Sequence, residues 1–371
     1  MVKLMSDSVN SSAQDAWYTY QGLQDDVVLS SSVQLSRNLA NFPFPAKLRD
    51  RDGSRVLSIV FDAFNKLDDS DSYQAISVSN LDSLGSKILK ERGIFGAASE
   101  KEINVDNAGI ILRTDGYVSC TVNIIDHVRL SSFSSGLDFD AVLKKSQGVD
   151  SQLQHYIQFA ASYDFGYLTS SVMEAGSGIK LSLRTHLPSL SMLGKIKELT
   201  EDFFKNGIVC SAPFGSGDFN TSLGSYYDFA LWNCQNGSEF DQTASIVSVG
   251  KRLIDKERAA RKECMLQYPS EIRNKLFRSL AVARSSLFIS VREAIDIINC
   301  VKWGTDLHII KGIADSELHA LLYRIQEGHL EYVLKNGNFS FEEDIKNFIK
   351  KIERLRALIL QEAFEDISVA L

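Results

Sequence analysis

Two short runs hold the side chains best suited to chemistry. In Asn123-Ile124-Ile125-Asp126-His127-Val128-Arg129, a carboxylate, an imidazole and a guanidinium fall within four residues. Asp126 and His127 have the groups for proton exchange, and Arg129 has the charge to hold an anion. The plainer readings are that the pair fixes a strand end and that Arg129 pairs with a local carboxylate. In Gly176-Ser177-Gly178-Ile179-Lys180, two glycines can aim backbone N–H groups at a phosphate while Lys180 adds charge. The competing reading is a flexible loop. Further along, Arg354 and Arg356 beside Glu353 offer a second place for an anion. His155, His186, His308, His319 and His329 show no metal-ligand spacing, which predicts no metal site.

These groups need a scaffold, and the hydrophobic pattern supplies one. Residues 110–112 and 117–122 read as two strands around the Thr114-Asp115-Gly116 turn. Ile179, Leu181 and Leu183 alternate as in a half-buried strand, and 139–165 has helical spacing. Near residue 245 the texture changes to apolar residues at three- and four-residue intervals, such as Leu276, Leu280, Ala283 and Leu287. Ser290 to Glu293 and Ser340 to Glu343 read as capping boxes, and Asp315 as a further cap. The expected fold is α+β, a largely antiparallel sheet flanked by helices and followed by an all-α domain. The expected division is an arm over 1–26, partly mobile or in short helices, a mixed domain over 27–250 and a helical domain over 251–371. No internal repeat or long linker separates the two domains, so they are expected to pack together.

Composition narrows the function classes. The 371 residues are 44% hydrophobic and 23% charged, as in ordinary globular chains. No apolar run approaches the length of a membrane span, and the first thirty residues lack a signal-peptide layout. Five cysteines without C-x-x-C spacing argue against a zinc ribbon or a disulfide framework. A reduced, cytoplasmic protein is expected. Residues 251–371 carry 20 Lys+Arg and 18 Asp+Glu, so of the total 40 and 47 the first 250 carry 20 and 29, a net of −9. So acidic a domain argues against nucleic-acid binding.

Five ordered segments resemble one family. Residues 27–39 with Phe42-Pro43-Phe44-Pro45 are similar to the VVLSSRIRLARNL…PFP opening of guanidino kinases. Residues 123–129 resemble their NEEDHLR, 166–180 their GYLTSCPTNVGTGLR, His186-Leu187-Pro188 the HLP that follows, and Phe214-Gly215-Ser216-Gly217 their YGEG. Glu293-Ala294 and 301–307 resemble the EA…VRLGIDL element of bacterial protein-arginine kinases.

The resemblance implies ATP:guanido phosphotransferase chemistry, and the departures bear on it directly. Family arginines that hold ATP phosphates fall at Ser32, Gln34 and Ser211, and Lys180 replaces another. A family His that contacts the nucleotide falls at Gly93. Arg129, Lys180, Ser30 and Ser31 remain as nucleotide-site remnants. The catalytic carboxylates of NEED are Ile124 and Ile125, which can fill the vacated space with apolar packing. The active-site Cys is Ser171 and the Glu of YGEG is Ser216. Losing a general base alone costs about 10²–10⁴ in rate, and losing an arginine that stabilises transition-state charge about 10³–10⁵. A pseudokinase acting as a protein-binding scaffold or regulatory subunit is expected, with no cofactor; MgATP enters only if it is a diverged kinase. By resemblance to the family's RDxxRA phosphoarginine motif, Glu353, Arg354 and Arg356 are pocket remnants, which leaves a phosphoarginine reader as a further alternative. The implied partners are a second copy of the chain, a McsA-like zinc-binding adaptor or Clp-type machinery. Trp232 and Trp303 are candidate interface anchors or core residues.

Overall fold

The computed structural model describes residues 16–94, 105–232 and 237–370. Strand β1 (Val28–Arg37) leads into α1 (Asp50–Phe64), β2 (Tyr73–Ser77), α2 (Ser83–Glu91), β3 (Gly109–Arg113), β4 (Val118–Val122), β5 (Val128–Ser135) and α3 (Phe139–Leu153). A small hairpin of β6 (Ala161–Ser162) and β7 (Gly166–Tyr167) precedes β8 (Ile179–His186), α4 (Pro188–Met192), α5 (Ile196–Lys205), β9 (Ile208–Ser211) and β10 (Tyr226–Leu231). Then come α6 (Glu239–Gln267), α7 (Pro269–Ser285), α8 (Val291–Asp306), β11 (Ile310–Lys311), α9 (Asp315–Arg324), α10 (Glu327–Asn336), α11 (Phe348–Ala363) and β12 (Ser368–Val369). Among the described residues, no helix is long and apolar enough to cross a membrane.

Eight strands form one antiparallel sheet in the order β2-β3-β4-β5-β1-β8-β10-β9. Strand alternation gives this sheet two unlike faces. Val33, Leu35, Cys120, Leu130, Leu181 and Leu183 are buried in one core with side chains of α1, α3 and α6. The residues between them (Ser32, Gln34, Ser119, Ser131, Lys180 and Ser182) point the other way and floor a cavity. The Asp-Gly turn between β3 and β4 forms as expected, with Gly116 at φ +70°.

Several local expectations are corrected. The helix opening at 139 stops at Leu153 rather than running to 165. Beyond it, Gln158 O accepts from Ala40 N at 3.0 Å and Ala160 N donates to Asn38 O at 2.6 Å, pulling the chain alongside the end of β1. Ser290 does cap α8, accepting from Glu293 N at 3.2 Å. Ser340 opens no helix; α11 starts after Asn347, and Glu342 is drawn instead to Arg354. Asp315 sits just inside α9, where its carboxylate takes Lys302 Nζ at 2.9 Å rather than capping.

The expected junction at 250/251 falls inside α6, which runs unbroken through it. Packing changes hands further along: Ala260 belongs to the sheet core and Cys264 to the helical core. The helical core also takes Leu29 from β1 and Tyr226 from β10, so the two halves pack together as expected. Trp303 lies in that core, its Nε1 donating to Ser189 Oγ at 3.0 Å, so it anchors the chain's own interior. Of the expected N-terminal arm, 1–15 lie outside the described residues. Residues 16–26 are pinned: Trp17 stacks on Phe133 (5.3 Å), Tyr18 on Tyr323 (4.3 Å), and Asp26 takes Arg258 and Arg261 at 2.7 and 2.8 Å.

Glu257 of α6 is buried, and its two oxygens accept Ser189 N and Leu190 N, each at 3.0 Å. Burial pushes its carboxyl up to about 7, against the pull of Arg261 and the two amides. The folded chain therefore holds a proton on Glu257 at pH values where the unfolded chain has released it. This group's contribution to stability is full below the ordinary glutamate value of 4.5 and is lost as pH rises through about 7. The total is about 3 kcal/mol. Urea unfolding between pH 4.5 and 7.5 should show that decline, and Glu257→Gln should flatten it.

Candidate functional site

The cavity on the open face of the sheet has a volume of about 750 Å³, within the range of small-molecule sites. Its floor carries Ser30, Ser32 and Gln34 from β1 with Lys180, Ser182 and Arg184 from β8. Arg92 and Gly93, just after α2, and Arg113 at the end of β3 form one side. Trp17, Tyr18, Phe133 and Tyr323 form an aromatic wall, to which the helical half contributes Tyr323. Five of the positions where the resemblance placed nucleotide contacts (Ser30, Ser32, Gln34, Gly93 and Lys180) thus meet in one cavity.

At Ser32 and Gln34, where the resemblance places arginines, the floor is neutral. Ser32 Oγ hydrogen-bonds Ser182 Oγ at 2.5 Å, and Gln34 Nε2 is buried without a hydrogen-bond partner. Lys180 is exposed at the cavity's end. Ser31 does not line the cavity; its hydroxyl donates to Gly136 O at 2.8 Å and accepts Asp138 N at 3.1 Å, clipping β1 to the start of α3. Ser211 is exposed at the end of β9, opposite Asp228.

Three cations at this cavity escaped the sequence reading: Arg92, Arg113 and Arg184. Arg184 forms a two-pronged pair with Asp228, both contacts 2.9 Å, and Arg113 pairs with Asp115 at 3.1 Å and Asp69 at 3.5 Å. Arg184 was findable, since it lies four residues after Lys180 on an alternating strand and must share its face. Nothing in the sequence marks Trp17 as a wall.

Arg129 does not open into the cavity. Its Nη2 lies 2.7 Å from Glu174 Oε2 and 3.3 Å from Asp126 Oδ2. Glu174 also accepts Ser36 Oγ at 2.9 Å. Asp126 is fully buried and accepts Asn38 Nδ2 at 2.8 Å and Ser170 N at 2.7 Å. His127 Nδ1 accepts Leu39 N at 3.0 Å, and burial pushes the imidazole down to about 4. It is neutral at physiological pH and its Nδ1 is committed to the backbone, so the Asp126–His127 pair fixes the strand end.

Ile124 and Ile125, where the resemblance places carboxylates, differ in setting. Ile124 packs against the small cluster of Val78, Leu89, Ala108 and Ile110. Ile125 does not seal anything; its side chain is 38% exposed. Ser171 precedes the turn Val172–Glu174, and Ser216 lies in an exposed loop bonded to Thr221 Oγ1. The Gly176–Gly178 run is not free to cradle phosphate. Gly176 pairs with Tyr167, and a Cβ on Gly178 would lie 2.6 Å from Arg37 Nη1.

In the tail, Arg354 is closed on Glu342 at 2.9 Å and Glu353 takes Lys350 at 2.7 Å. Arg356 is buried in the helical half and donates to Ile325 O and Ile289 O, each at 2.8 Å. Trp232 is 55% exposed, with Phe204 edge-on at 6.2 Å. No cluster of potential metal ligands exists among the described residues.

The model of the ATP:guanido phosphotransferase C-terminal catalytic domain matches residues 55–260, and that of the protein-arginine kinase McsB C-terminal domain matches 269–370. A protein-arginine kinase of Clostridium acetobutylicum is 27% identical over 342 residues, covering 92% of this chain and 99% of the relative. One from Syntrophomonas wolfei is 26% identical over 310 residues, 83% and 86% of the two chains. In fold, the chain is similar to lombricine kinase (TM-score 0.55, 17% identity, 66% of this chain and 72% of that one). It is also similar to the duplicated taurocyamine kinase of Schistosoma mansoni (TM-score 0.58, 19% identity, 73% and 38%). A guanidino-kinase sheet joined to the helical domain of protein-arginine kinases makes this chain a member of the ATP:guanido phosphotransferase family, in its protein-arginine kinase branch.

Proposed function

We propose that this chain is a pseudokinase of the protein-arginine kinase family, acting by binding as a scaffold or regulatory subunit. One observation carries the reading. Where a guanidinium would need a carboxylate to orient it and take its proton stand Ile124 and Ile125, while the nearby Asp126 and Glu174 are both closed on Arg129. Phosphoryl transfer asks mainly for fixed positive charge around the phosphates, and two of those positions are Ser32 and Gln34. The helical half then supplies the contacts. Its partners are a second copy of the chain and a McsA-like zinc-binding adaptor or Clp-type machinery, and no cofactor is required.

A second reading has its own support. Among the described residues, the cavity is lined by Arg92, Arg113, Lys180 and Arg184, with Asp228 as the one carboxylate. A diverged kinase would hold MgATP there, with Arg129 freed from its carboxylates and Asp126 or His127 as base. Calorimetric titration with MgATP separates the two. The pseudokinase reading expects no heat at millimolar nucleotide and no acid-labile phosphate on protein arginine. Micromolar binding with arginine phosphorylation would overturn it.

A further inference from the structure

Strand β2 is one edge of the eight-stranded sheet. It pairs with β3 so that Ser72 O accepts Thr114 N and Ala108 O accepts Val78 N, each at 2.9 Å. Bonded pairs recur at every second residue of an antiparallel ladder, so Gln74 and Ile76 turn their backbone groups toward β3. Tyr73 O, Ala75 N and O, and Ser77 N then point out of the sheet, and among the described residues they have no partner. Both ends of this edge are anchored. Tyr73 packs on the main core, edge-on to Phe64 at 5.4 Å, and Val78 is buried. Gln74 and Ala75 are exposed, and Tyr73–Ser77 contains neither the lysine nor the proline that commonly guards such an edge.

Charge selects what can pair there. Residues 67–86 carry four carboxylates, Asp68, Asp69, Asp71 and Asp82, and no Lys or Arg. Asp69 lies 3.5 Å from Arg113, whereas Asp68 and Asp71 are exposed. Three of the four stand just before the strand, so the edge is acidic mainly at its N-terminal end. A second copy pairing antiparallel about Ala75 would bring Asp82 of each copy toward the acidic end of the other, a like-charge contact. A guest strand with lysines at its C-terminal end, running antiparallel as every neighbouring pair of this sheet does, meets the acids instead. Gln74 lines the cavity, so such a strand would continue the sheet's open face past the cavity's rim.

We propose that the outer edge of β2 takes an extended, lysine-bearing segment of a partner protein as an added antiparallel strand, its basic end beside Asp68, Asp69 and Asp71. Main-chain bonds to Ala75 and its neighbours hold the segment, and the acids set its direction. This surface lies on the sheet half, apart from the helical contacts, and does not depend on whether the chain transfers phosphate. The probe is a capped Thr-Val-Thr-Val-Lys-Lys peptide added to the full chain. Without it, the amides of Ala75 and Ser77 should exchange with solvent fast and those of Gln74 and Ile76 slowly. With it, Ala75 and Ser77 should slow by about tenfold or more. N-methylating the Thr and Val residues of the peptide keeps its charge, removes its donors and should weaken binding by about tenfold or more. Asp68→Asn with Asp71→Asn should weaken it about threefold at low salt. Ala75→Pro removes one outward N–H, leaves the ladder to β3 its donors and should abolish the protection at Ser77. Slow exchange of Ala75 and Ser77 in the dilute free chain would overturn the proposal, as would protection that grows with chain concentration and so marks self-pairing. Equal affinity for the N-methylated peptide, or no added protection at millimolar peptide, would overturn it too, and both are read on the unaltered chain.

Discussion

Restoring arginine at Ser32 and Gln34 together should raise MgATP affinity by about 10²-fold or more. A hydrogen bond to a charged group contributes about 1.5–3 kcal/mol, and each 1.4 kcal/mol is tenfold in affinity. Two arginines acting on one polyphosphate fall short of full additivity, so the lower end is expected. Geometry favours the result. The two positions lie on one face of β1, both line the cavity, and about 750 Å³ accommodates the longer side chains. Among the described residues, the substitutions give up the hydrogen bond between Ser32 and Ser182. The double substitution should still leave protein arginine unphosphorylated, because Ile124 and Ile125 are unchanged. Unaltered nucleotide affinity would show that this face of the sheet is not a phosphate seat.

Arg356→Ala should destabilise the chain by about 3 kcal/mol or more, whether or not phosphoarginine is present. The guanidinium bridges Ile325 O after α9 and Ile289 O before α8, and its loss leaves two buried carbonyls short of a donor. Arg354→Ala should cost under about 1 kcal/mol, since Glu342 is well exposed and the pair is partly screened. Urea unfolding of both variants, with and without free phosphoarginine, checks the contrast. A fully stable Arg356→Ala, or a midpoint in the unaltered chain that rises with phosphoarginine, would return Arg356 to a recognition role.

Much of the scaffold was legible because its signals are local. Alternation in 179–185, the Asp-Gly turn and the Ser290 cap each need only a few neighbouring residues. The resembling motifs likewise picked out Ser30, Ser32, Gln34 and Lys180, which meet in one cavity. What escaped depends on contacts distant in sequence. Ser340 has the right spacing for a cap, yet Arg354 claims the adjacent Glu342. Asp315 is diverted by Lys302, which no local pattern reveals. Glu174 is legible as a departure from Asn, but its reach to Arg129 requires β5 and the 171–178 turn to be placed side by side. Ser31 shows the cost of reading a motif without its pleat, since it stands one residue away from the cavity face.

The seating of Trp17 and Tyr18 bears on how the chain is made. Their partners lie on β5 and on α9, and Tyr18 stacks on a tyrosine 305 positions later. At about 5–20 residues per second, the ribosome delivers Tyr323 roughly 15–60 s after Tyr18. Tyr18 therefore waits for α9 before it can dock, whereas Trp17 meets Phe133 as soon as β5 has emerged. During that interval the cavity lacks the Tyr323 side of its aromatic wall, and the sheet's open face is uncovered there.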